Sequence, residues 1–181
     1  MLTPPIHTPT IHTPRITLRP GNIQDAPAMY KNWATDPQVT RFLRWNPHKS
    51  VEETIAFLTR VQHSVGCPNT FDWLLTHQHN GEPFGTAGIF YNQGRQVFEM
   101  GYCLMQAAWG QGLATEGAQA ILEFATTQLK QTQIFAMVAK ENPNSARVLE
   151  KIGFAQIGEG EDAQFDGTEY PCYFYMYEIS R

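Results

Sequence analysis

Residues 109–116 read Trp-Gly-Gln-Gly-Leu-Ala-Thr-Glu and lie between a predicted strand and a predicted long helix. The two glycines let the backbone turn tightly and let a ligand come close to the amide groups. The first turn of the following helix has N–H groups without partners inside the helix, and the helix dipole adds partial positive charge there. This combination favours a diphosphate site, although an ordinary turn has the same glycines.

Two other phosphate-binding patterns fit this stretch less well. The P-loop requires Gly-Lys-Ser/Thr, whereas Leu113 and Ala114 follow Gly112. The dinucleotide fingerprint requires a small residue where Thr115 stands and a βαβ start, whereas predicted hairpins precede this stretch. Glu141, at the end of the next predicted strand, resembles the ribose-binding acid of that fingerprint. A dinucleotide-binding oxidoreductase therefore stays among the candidate functions.

Hydrophobic periodicity on both sides of the stretch predicts alternating strands and helices. The predicted strands are 15–19, 71–77, 84–91, 96–104, 134–139, 154–157 and 172–179. The predicted helices open at Asp25 and Ser50, span about 113–130, and begin after Asn142. Hairpins first and helix-connected strands afterwards predict an α+β fold of three layers, α/β/α. Its sheet is mixed and mostly antiparallel, with about six to seven strands and helices on both faces.

Length and composition predict one domain in a reducing compartment. The chain has 181 residues, 17% of them charged, and a formal net charge of −4, so a general nucleic-acid partner is not expected. No apolar run approaches the roughly 18 residues that cross a bilayer, and the N-terminus lacks a signal-peptide pattern. The three cysteines, Cys67, Cys103 and Cys172, form no regular framework. We expect a cytoplasmic protein without membrane contact.

The first fourteen residues are predicted to form a proline-rich tail ahead of a single domain at 15–181. Prolines at 4, 5, 9 and 14 disfavour regular hydrogen-bonded structure. The repeat Ile-His-Thr-Pro at 6–9 and 11–14 offers two histidines, but a solvated arm is the favoured interpretation. His77 and His79 share one face of a strand end without a third ligand nearby in sequence. No metal site is predicted.

Four segments, in chain order, resemble the GNAT N-acetyltransferases. Residues 109–114 are similar to the coenzyme A diphosphate loop, whose pattern is Gln/Arg-x-x-Gly-x-Gly/Ala, with Trp109 at the Gln/Arg position. Tryptophan there is usual in the branch of ribosomal-protein N-terminal acetyltransferases, the RimJ/RimL type. The other matching segments are 13–20 with 25–26, 98–102 and 142–154. The resemblance runs from about residue 13 to the end of the chain.

The resemblance implies a sheet that splays between its fourth and fifth strands, with the pantetheine arm of acetyl-CoA in the gap. It implies acetyl-CoA as cosubstrate, no metal, and direct attack by an amine in a ternary complex. Main-chain N–H groups at the end of the fourth strand would bind the cofactor amides. The residues that match the cofactor-binding positions are Leu104, Met105, Gly110, Gln111, Gly112, Leu113, Ala114, Thr115, Asn142 and Ser145.

Two residues match catalytic positions of the family. Glu99 matches the strand position from which relatives deprotonate the amine, and the alternative is a strand glutamate that is exposed or paired with an arginine. Many relatives protonate the leaving thiolate with a tyrosine, but Leu149 stands at that position here. Ser145 offers the nearest hydroxyl as acid or hydrogen-bond donor, unless it only bonds within the first helical turn. Asn142 is predicted to cap that helix, to contact pantetheine, or both.

The resemblance implies a primary amine as acceptor, either a protein N-terminus or a small molecule, with Trp45, His48 and Tyr102 predicted to contact it. The alternative for the aromatic residues of the loop at 42–48 is simple packing over the core. Residues 158–170 contribute −5 to the net charge of −4 and would steer cationic acceptors or be a solvated acidic loop. The protein is expected to be a monomer or homodimer. The alternative function is a catalytically silent coenzyme A-binding module of the same fold.

Overall fold

The computed structural model describes residues 7–64, 66–163 and 167–179, which form one central sheet with helices packed on it. The strands are β1 (Ile11–His12), β2 (Ile16–Arg19), β3 (Thr70–His77), β4 (Pro83–Asn92), β5 (Val97–Leu104), β6 (Gln133–Ala139), β7 (Ala155–Ala163) and β8 (Glu169–Glu178). They lie in the order β1-β2-β3-β4-β5-β6-β8-β7. All neighbouring pairs are antiparallel except β5 and β6, which confirms the mixed, mostly antiparallel sheet.

The helices are α1 (Ala26–Met29), α2 (Pro37–Thr40), α3 (Val51–Ser64), α4 (Leu113–Thr127) and α5 (Pro143–Lys151). A π turn at Tyr30–Ala34 continues α1. Asp25 is the N-cap residue of α1, as predicted, but its side chain makes no capping bond to that helix. A 3₁₀ turn precedes α1, and Asn22 caps that turn: Asn22 Oδ1 accepts from the Gln24 N–H at 3.0 Å. Across the described residues, none of the helices is both long and apolar enough to cross a membrane.

Helices cover both faces of the sheet, as the sequence predicts. The buried residues form two cores, one on each face of the sheet. Strand β3 contributes to both, since successive side chains on a strand point to opposite faces. Trp73 belongs to the core under α4, where its ring meets Phe124 edge-on at 5.2 Å. Leu74, the next residue, belongs to the core that contains Trp33 and Leu58 from the π turn and α3.

The sheet has one more strand than the upper estimate, because β1 lies inside the predicted tail. Ile11 pairs with Leu18 and His12 with Thr17, so the expected absence of regular structure in the first fourteen residues is wrong at this point. Proline removes only its own N–H donor, and an edge strand between two prolines keeps the donors that it needs. The Trp73 indole also donates to the Pro9 carbonyl at 2.7 Å. Residues 1–6 of the predicted tail lie outside the described part.

The sheet opens between β5 and β6. These strands pair only at Phe98–Ile134 and Glu99–Phe135, whereas β6 continues along β8 for the rest of its length. The predicted splay between the fourth and fifth strands is confirmed. It lies between the fifth and sixth strands once β1 is counted.

Candidate functional site

A cavity of about 350 Å³ lies where β5 and β6 separate, and its lining extends from the loop between α2 and α3 on one face to Ser145 and Leu149 of α5 on the other. Its floor includes Gly88 of β4, directly opposite Gly101 of β5, and Asp72 of β3, whose Oδ1 lies 2.6 Å from where a Cβ on Gly88 would be. The next rows on the face that carries the loop place Phe90 beside Glu99 on one side and Thr86 beside Cys103 on the other. The open edge of β5 and the floor of the cavity therefore meet at Gly101.

Glu99 faces this cavity and is 4% exposed. Its Oε1 accepts from Arg44 Nη2 at 2.8 Å, and its Oε2 accepts from Asn92 Nδ2 at 2.7 Å. A buried carboxylate needs such partners, because removal of its charge from water is otherwise very unfavourable. The position allows contact with an acceptor, and the pairing with an arginine is the alternative that the sequence left open.

Arg44 joins Glu99 to the last hairpin of the sheet. Its Nε donates to Asp162 of β7 at 3.1 Å, and the Tyr170 hydroxyl donates to the same carboxylate at 3.3 Å. Burial opposes the charge of Arg44, but Glu99 and Asp162 together raise the pKa of its guanidinium. The Tyr170 hydroxyl also lies 3.1 Å from the Phe42 carbonyl. The loop between α2 and α3 is thus attached to β5, β7 and β8 around the cavity.

A pair of hydroxyl groups spans the opening from the other side. Tyr102 points to the face opposite Glu99, and its hydroxyl oxygen lies 2.9 Å from Ser145 Oγ on α5. Burial raises the pKa of the Tyr102 phenol to about 12, although the hydrogen bond with Ser145 lowers it. The phenol is therefore protonated throughout the neutral range. Asn142 Oδ1 accepts from the Ser145 N–H at 3.3 Å, which confirms Asn142 as the cap of α5.

The glycine loop at 109–112 has the backbone shape that a ligand-binding turn requires. Gly110 and Gly112 have φ of 72° and 77°, in the left-handed region that favours glycine. Gly112 is the N-cap of α4, and as a glycine it has no side chain that could cap the first-turn N–H groups of the helix. The Trp109 indole is 47% exposed overall and donates to the Leu104 carbonyl at 2.8 Å, which ties the loop to the end of β5.

The first turn of α4 is attached to the turn between β1 and β2. Glu116 Oε1 accepts from Thr13 Oγ1 at 2.6 Å and from the Arg15 backbone N–H at 2.9 Å. Glu116 Oε2 accepts from Arg15 Nε at 2.6 Å. Burial alone would raise the pKa of Glu116, but these hydrogen bonds and the charge of Arg15 have the larger effect. The net result is a pKa below the ordinary value of a glutamate.

The depressed pKa of Glu116 predicts how stability depends on pH. Its contribution is present above the unfolded pKa of about 4.3 and disappears as the pH falls through the lower folded value. We expect Glu116→Gln to lower the free energy of unfolding by about 1 kcal/mol at neutral pH, with the difference from wild type vanishing once the pH has fallen below the lowered folded pKa. Urea unfolding at several pH values measures this. Glu123→Gln, exposed on the same helix, is the control, and a difference that persists in acid contradicts the prediction.

The predicted acceptor residues take different places around the cavity. Trp45 and Tyr102 line it. His48 packs behind, with its ring 4.9 Å from that of Trp45 and its Nδ1 2.7 Å from Thr54 Oγ1. Burial lowers the pKa of His48, and Arg60 lowers it further against the effect of Glu53. His48 is thus a neutral side chain that supports Trp45.

The acidic hairpin is partly neutralised by cations. Asp162 pairs with Arg44, and Glu159 pairs with Lys140. Glu161 and Glu169 are exposed, and Asp166 lies outside the described residues. Steering of cationic acceptors by this hairpin stays a prediction, with fewer unpaired charges than the sequence count implies.

Comparison with known proteins agrees with this architecture. The family described as Acetyltransferase (GNAT) domain matches residues 15–155. The chain belongs to the GNAT acetyltransferase family. An uncharacterised N-acetyltransferase of Bacillus licheniformis is 29% identical over 147 residues, which cover 80% of this chain and 81% of that protein. A probable N-acetyltransferase of Bacillus subtilis is 37% identical over 118 residues, or 64% of this chain and 65% of that protein.

Solved structures share the GNAT fold of this chain. A GNAT-family acetyltransferase from Bacillus anthracis superimposes with a TM-score of 0.79 at 21% identity, covering 93% of this chain and 98% of that one. RimL, a ribosomal L7/L12 alpha-N-protein acetyltransferase solved in complex with coenzyme A, gives a TM-score of 0.82 at 19% identity, over 94% and 98% of the two chains. At these identities the likeness concerns the fold.

The GNAT fold brings together residues that the sequence keeps far apart. Glu99, Ser145 and Tyr102 gather at the opening of the sheet, with Leu104 and Met105 at the end of β5 and residues 110–115 at the start of α4. Leu113 is buried in the core beneath the loop, so its side chain supports the turn and only its backbone is available to a ligand. In the described ranges, no group of three or more His, Cys, Asp or Glu side chains is arranged to hold a metal.

Sequence reasoning missed Arg44 and the Arg15–Glu116 pair. Arg44 has no motif around it, and only the tertiary contact with Glu99 reveals it. Arg15 lies in a segment that carries the family resemblance and Glu116 lies two residues after another, so their nearness to two motifs was the available signal. Their separation of 101 residues hid the contact.

Proposed function

We propose that this protein is an acetyl-CoA-dependent N-acetyltransferase that transfers the acetyl group directly to a primary amine, with residues 15–181 as one catalytic domain. The observation that carries the proposal is the meeting of three features at one edge of the sheet. These are the opening beyond Glu99, the uncapped start of α4 after Gly112, and the cavity over Gly101. Together they offer places for a diphosphate, an extended arm and an acceptor.

The residues at the opening suit a coenzyme A thioester. Left-handed glycines at 110 and 112 and the uncapped N–H groups of α4 suit the diphosphate. The edge of β5 from Gly101 to Leu104 has no pairing with β6 and, apart from the Leu104 carbonyl that accepts from Trp109, is available to the amides of the pantetheine arm. When bound, acetyl-CoA supplies an acetyl group activated as a thioester. Backbone N–H groups at this edge polarise its carbonyl.

Glu99 accepts the proton that the amine loses, directly or through a water. The new bond joins the amine nitrogen to the acetyl carbon as the carbon–sulfur bond breaks. Arg44 and Asn92 hold the two carboxylate oxygens and so fix the carboxylate towards the cavity. Such fixed orientation is the main contribution that a buried side chain can make to a reaction between two bound molecules.

Ser145 donates a hydrogen bond or a proton to the leaving sulfur. An aliphatic hydroxyl is a weak acid, and the adjacent Tyr102 phenol at 2.9 Å compensates by hydrogen bonding to Ser145 Oγ as its proton shifts. Tyr102 therefore supports the leaving group as well as lining the acceptor cavity.

We expect Ser145→Ala and Tyr102→Phe each to lower kcat about tenfold with a small change in KM, because both hydroxyls act when the thiolate leaves. The double variant is expected to lose little more than either single variant, since the two groups act as one unit. Steady-state kinetics of coenzyme A release measures this. Tyr175→Phe is the matched control, since its hydroxyl also bonds to α5, at Glu150, without lining the cavity. Unchanged kcat in both single variants contradicts the role.

The acceptor is a primary amine, and a protein N-terminus is favoured. The sequence resemblance to the RimJ/RimL branch supports this choice, and RimL and an enzyme described as a ribosomal-protein-serine acetyltransferase share the fold. A thiol-release screen with acetyl-CoA and N-terminal peptides, polyamines, amino acids and aminoglycosides tests the proposal. Acetylated product with any amine supports acetyl transfer, and turnover with peptides alone supports the N-terminal class.

The alternative is a silent coenzyme A-binding module, and the Arg44–Glu99 pair is the observation that favours it. A carboxylate occupied by a guanidinium and an amide is a typical structural pair. Coenzyme A binding by calorimetry without turnover in the whole amine panel would support the module. Turnover would exclude it.

A further inference from the structure

We propose that the turn between β1 and β2 is a working part of the cofactor site, in which Arg15 is a positioning residue. It neutralises Glu116 at the start of α4 and fixes the glycine loop in the shape that receives the diphosphate. This inference rests on the proposed function, because it assumes that the loop binds a coenzyme A thioester.

The charge of Glu116 requires explanation at this position. A carboxylate in the first turn of a helix interacts favourably with the helix dipole, but it repels a diphosphate bound at the same end. Here both carboxylate oxygens are directed to donors outside the helix, from Thr13 and from Arg15. The Glu116 side chain is 14% exposed, whereas that of Arg15 is 51% exposed. The exposed member of the pair next to the loop is thus the cation.

Arg15 also contacts the loop itself. Its Nη1 donates to the Gln111 carbonyl at 2.8 Å, between the two left-handed glycines. No peptide bond in the described residues is cis, and in a trans peptide the N–H points opposite to the carbonyl of the same plane. Because Arg15 holds the Gln111 carbonyl, the Gly112 N–H of that plane points away from Arg15.

The guanidinium of Arg15 also lies beside Gly112. A Cβ on Gly112 would lie 3.4 Å from Arg15 Nη2, which is at the tight end of normal packing. The guanidinium therefore lies against one side of the loop and leaves the other side to a ligand. Thr13, Arg15 and Glu116 form one connected unit that links the edge of the sheet to the diphosphate loop.

The test compares Arg15→Gln, Arg15→Lys and the double variant Arg15→Gln/Glu116→Gln with two thioesters. We expect Arg15→Gln to raise KM for acetyl-CoA about tenfold with kcat nearly unchanged. KM for S-acetylpantetheine, which has no phosphates, should stay at the wild-type value. The double variant should regain most of the lost affinity, because the uncompensated carboxylate is gone. Arg15→Lys should be intermediate, since it keeps the charge without the forked contacts.

Controls and contrary outcomes separate this role from a structural one. Arg19→Gln breaks a comparable ion pair, between the end of β2 and Asp25, and should leave KM for acetyl-CoA unchanged. Wild-type KM in Arg15→Gln overturns the inference, as does an equal rise for both thioesters or a double variant weaker than Arg15→Gln. Calorimetric titration with coenzyme A makes the same comparison without an acceptor, so the inference can be tested even if no amine is acetylated.

Discussion

Glu99→Gln is expected to lower kcat by about tenfold or more, because an amide cannot accept the proton of the amine. The substitution keeps the shape of the side chain, so the Arg44 contact to Oε1 can persist. A rotated Asn92 amide can accept from the new amide group, at the loss of the bond that Asn92 Oδ1 accepts from the Arg95 N–H at 3.1 Å. The loss should therefore appear in turnover, with KM for acetyl-CoA nearly unchanged.

Steady-state kinetics across pH, together with thermal unfolding, measures the effect of Glu99→Gln. Loss of the buried Glu99 charge can also affect folding, so Glu99→Asp is a second variant. It keeps the charge and is expected to retain more activity than the amide. Glu123→Gln, exposed on α4, controls for the loss of one carboxylate. Wild-type turnover in a folded Glu99→Gln variant would make the carboxylate a structural partner of Arg44 and nothing more.

Gly112→Val is expected to raise KM for acetyl-CoA about a hundredfold. The left-handed conformation costs a residue with a Cβ roughly 1–2 kcal/mol, and a β-branched residue fits there especially poorly. Gly112 has φ of 77°, and its Cβ would also approach Arg15 Nη2. Relief of this strain changes the direction of the loop amides, so the diphosphate loses its hydrogen bonds. Substrate titration at fixed acceptor concentration measures the change.

Gly81→Val is a matched control for backbone strain. Gly81 has φ of 73° in the turn between β3 and β4, and an added Cβ there meets no atom within 4 Å. The two variants should lose similar stability, but only Gly112→Val should lose affinity for acetyl-CoA. Equal KM values in the two variants would show that the shape of the loop at Gly112 does not matter for the cofactor.

Most elements of the fold could be predicted because each has a local cause. Alternating apolar residues in β3 and β5 and the glycines before α4 are strong short-range signals. The prediction of secondary structure failed where a contact between residues far apart in the sequence determines the element. Strand β1 exists because β2 offers it an edge, and the Trp73 indole binds the Pro9 carbonyl 64 residues away in sequence.

The candidate site was predictable to a different extent on its two sides. The cofactor side consists of consecutive residues at a turn and a helix start, so a motif contains most of it. The acceptor side is assembled from separate elements, with Arg44 from a loop, Glu99 from β5 and Asp162 from β7. No local pattern shows that these three charges meet, since ion pairs depend on distance in space and not on spacing in sequence.

The sequence by itself determined that residues 109–116 form a glycine turn at the start of a helix, because left-handed backbone and unpaired first-turn N–H groups follow from local chemistry. Only the tertiary structure decided what surrounds that turn. It placed Arg15 against the Gln111 carbonyl, directed Glu116 away from the loop, and opened the sheet beyond Glu99. The physical reason is that side-chain pairing and strand separation depend on packing between elements far apart in the chain, which no eight-residue stretch contains.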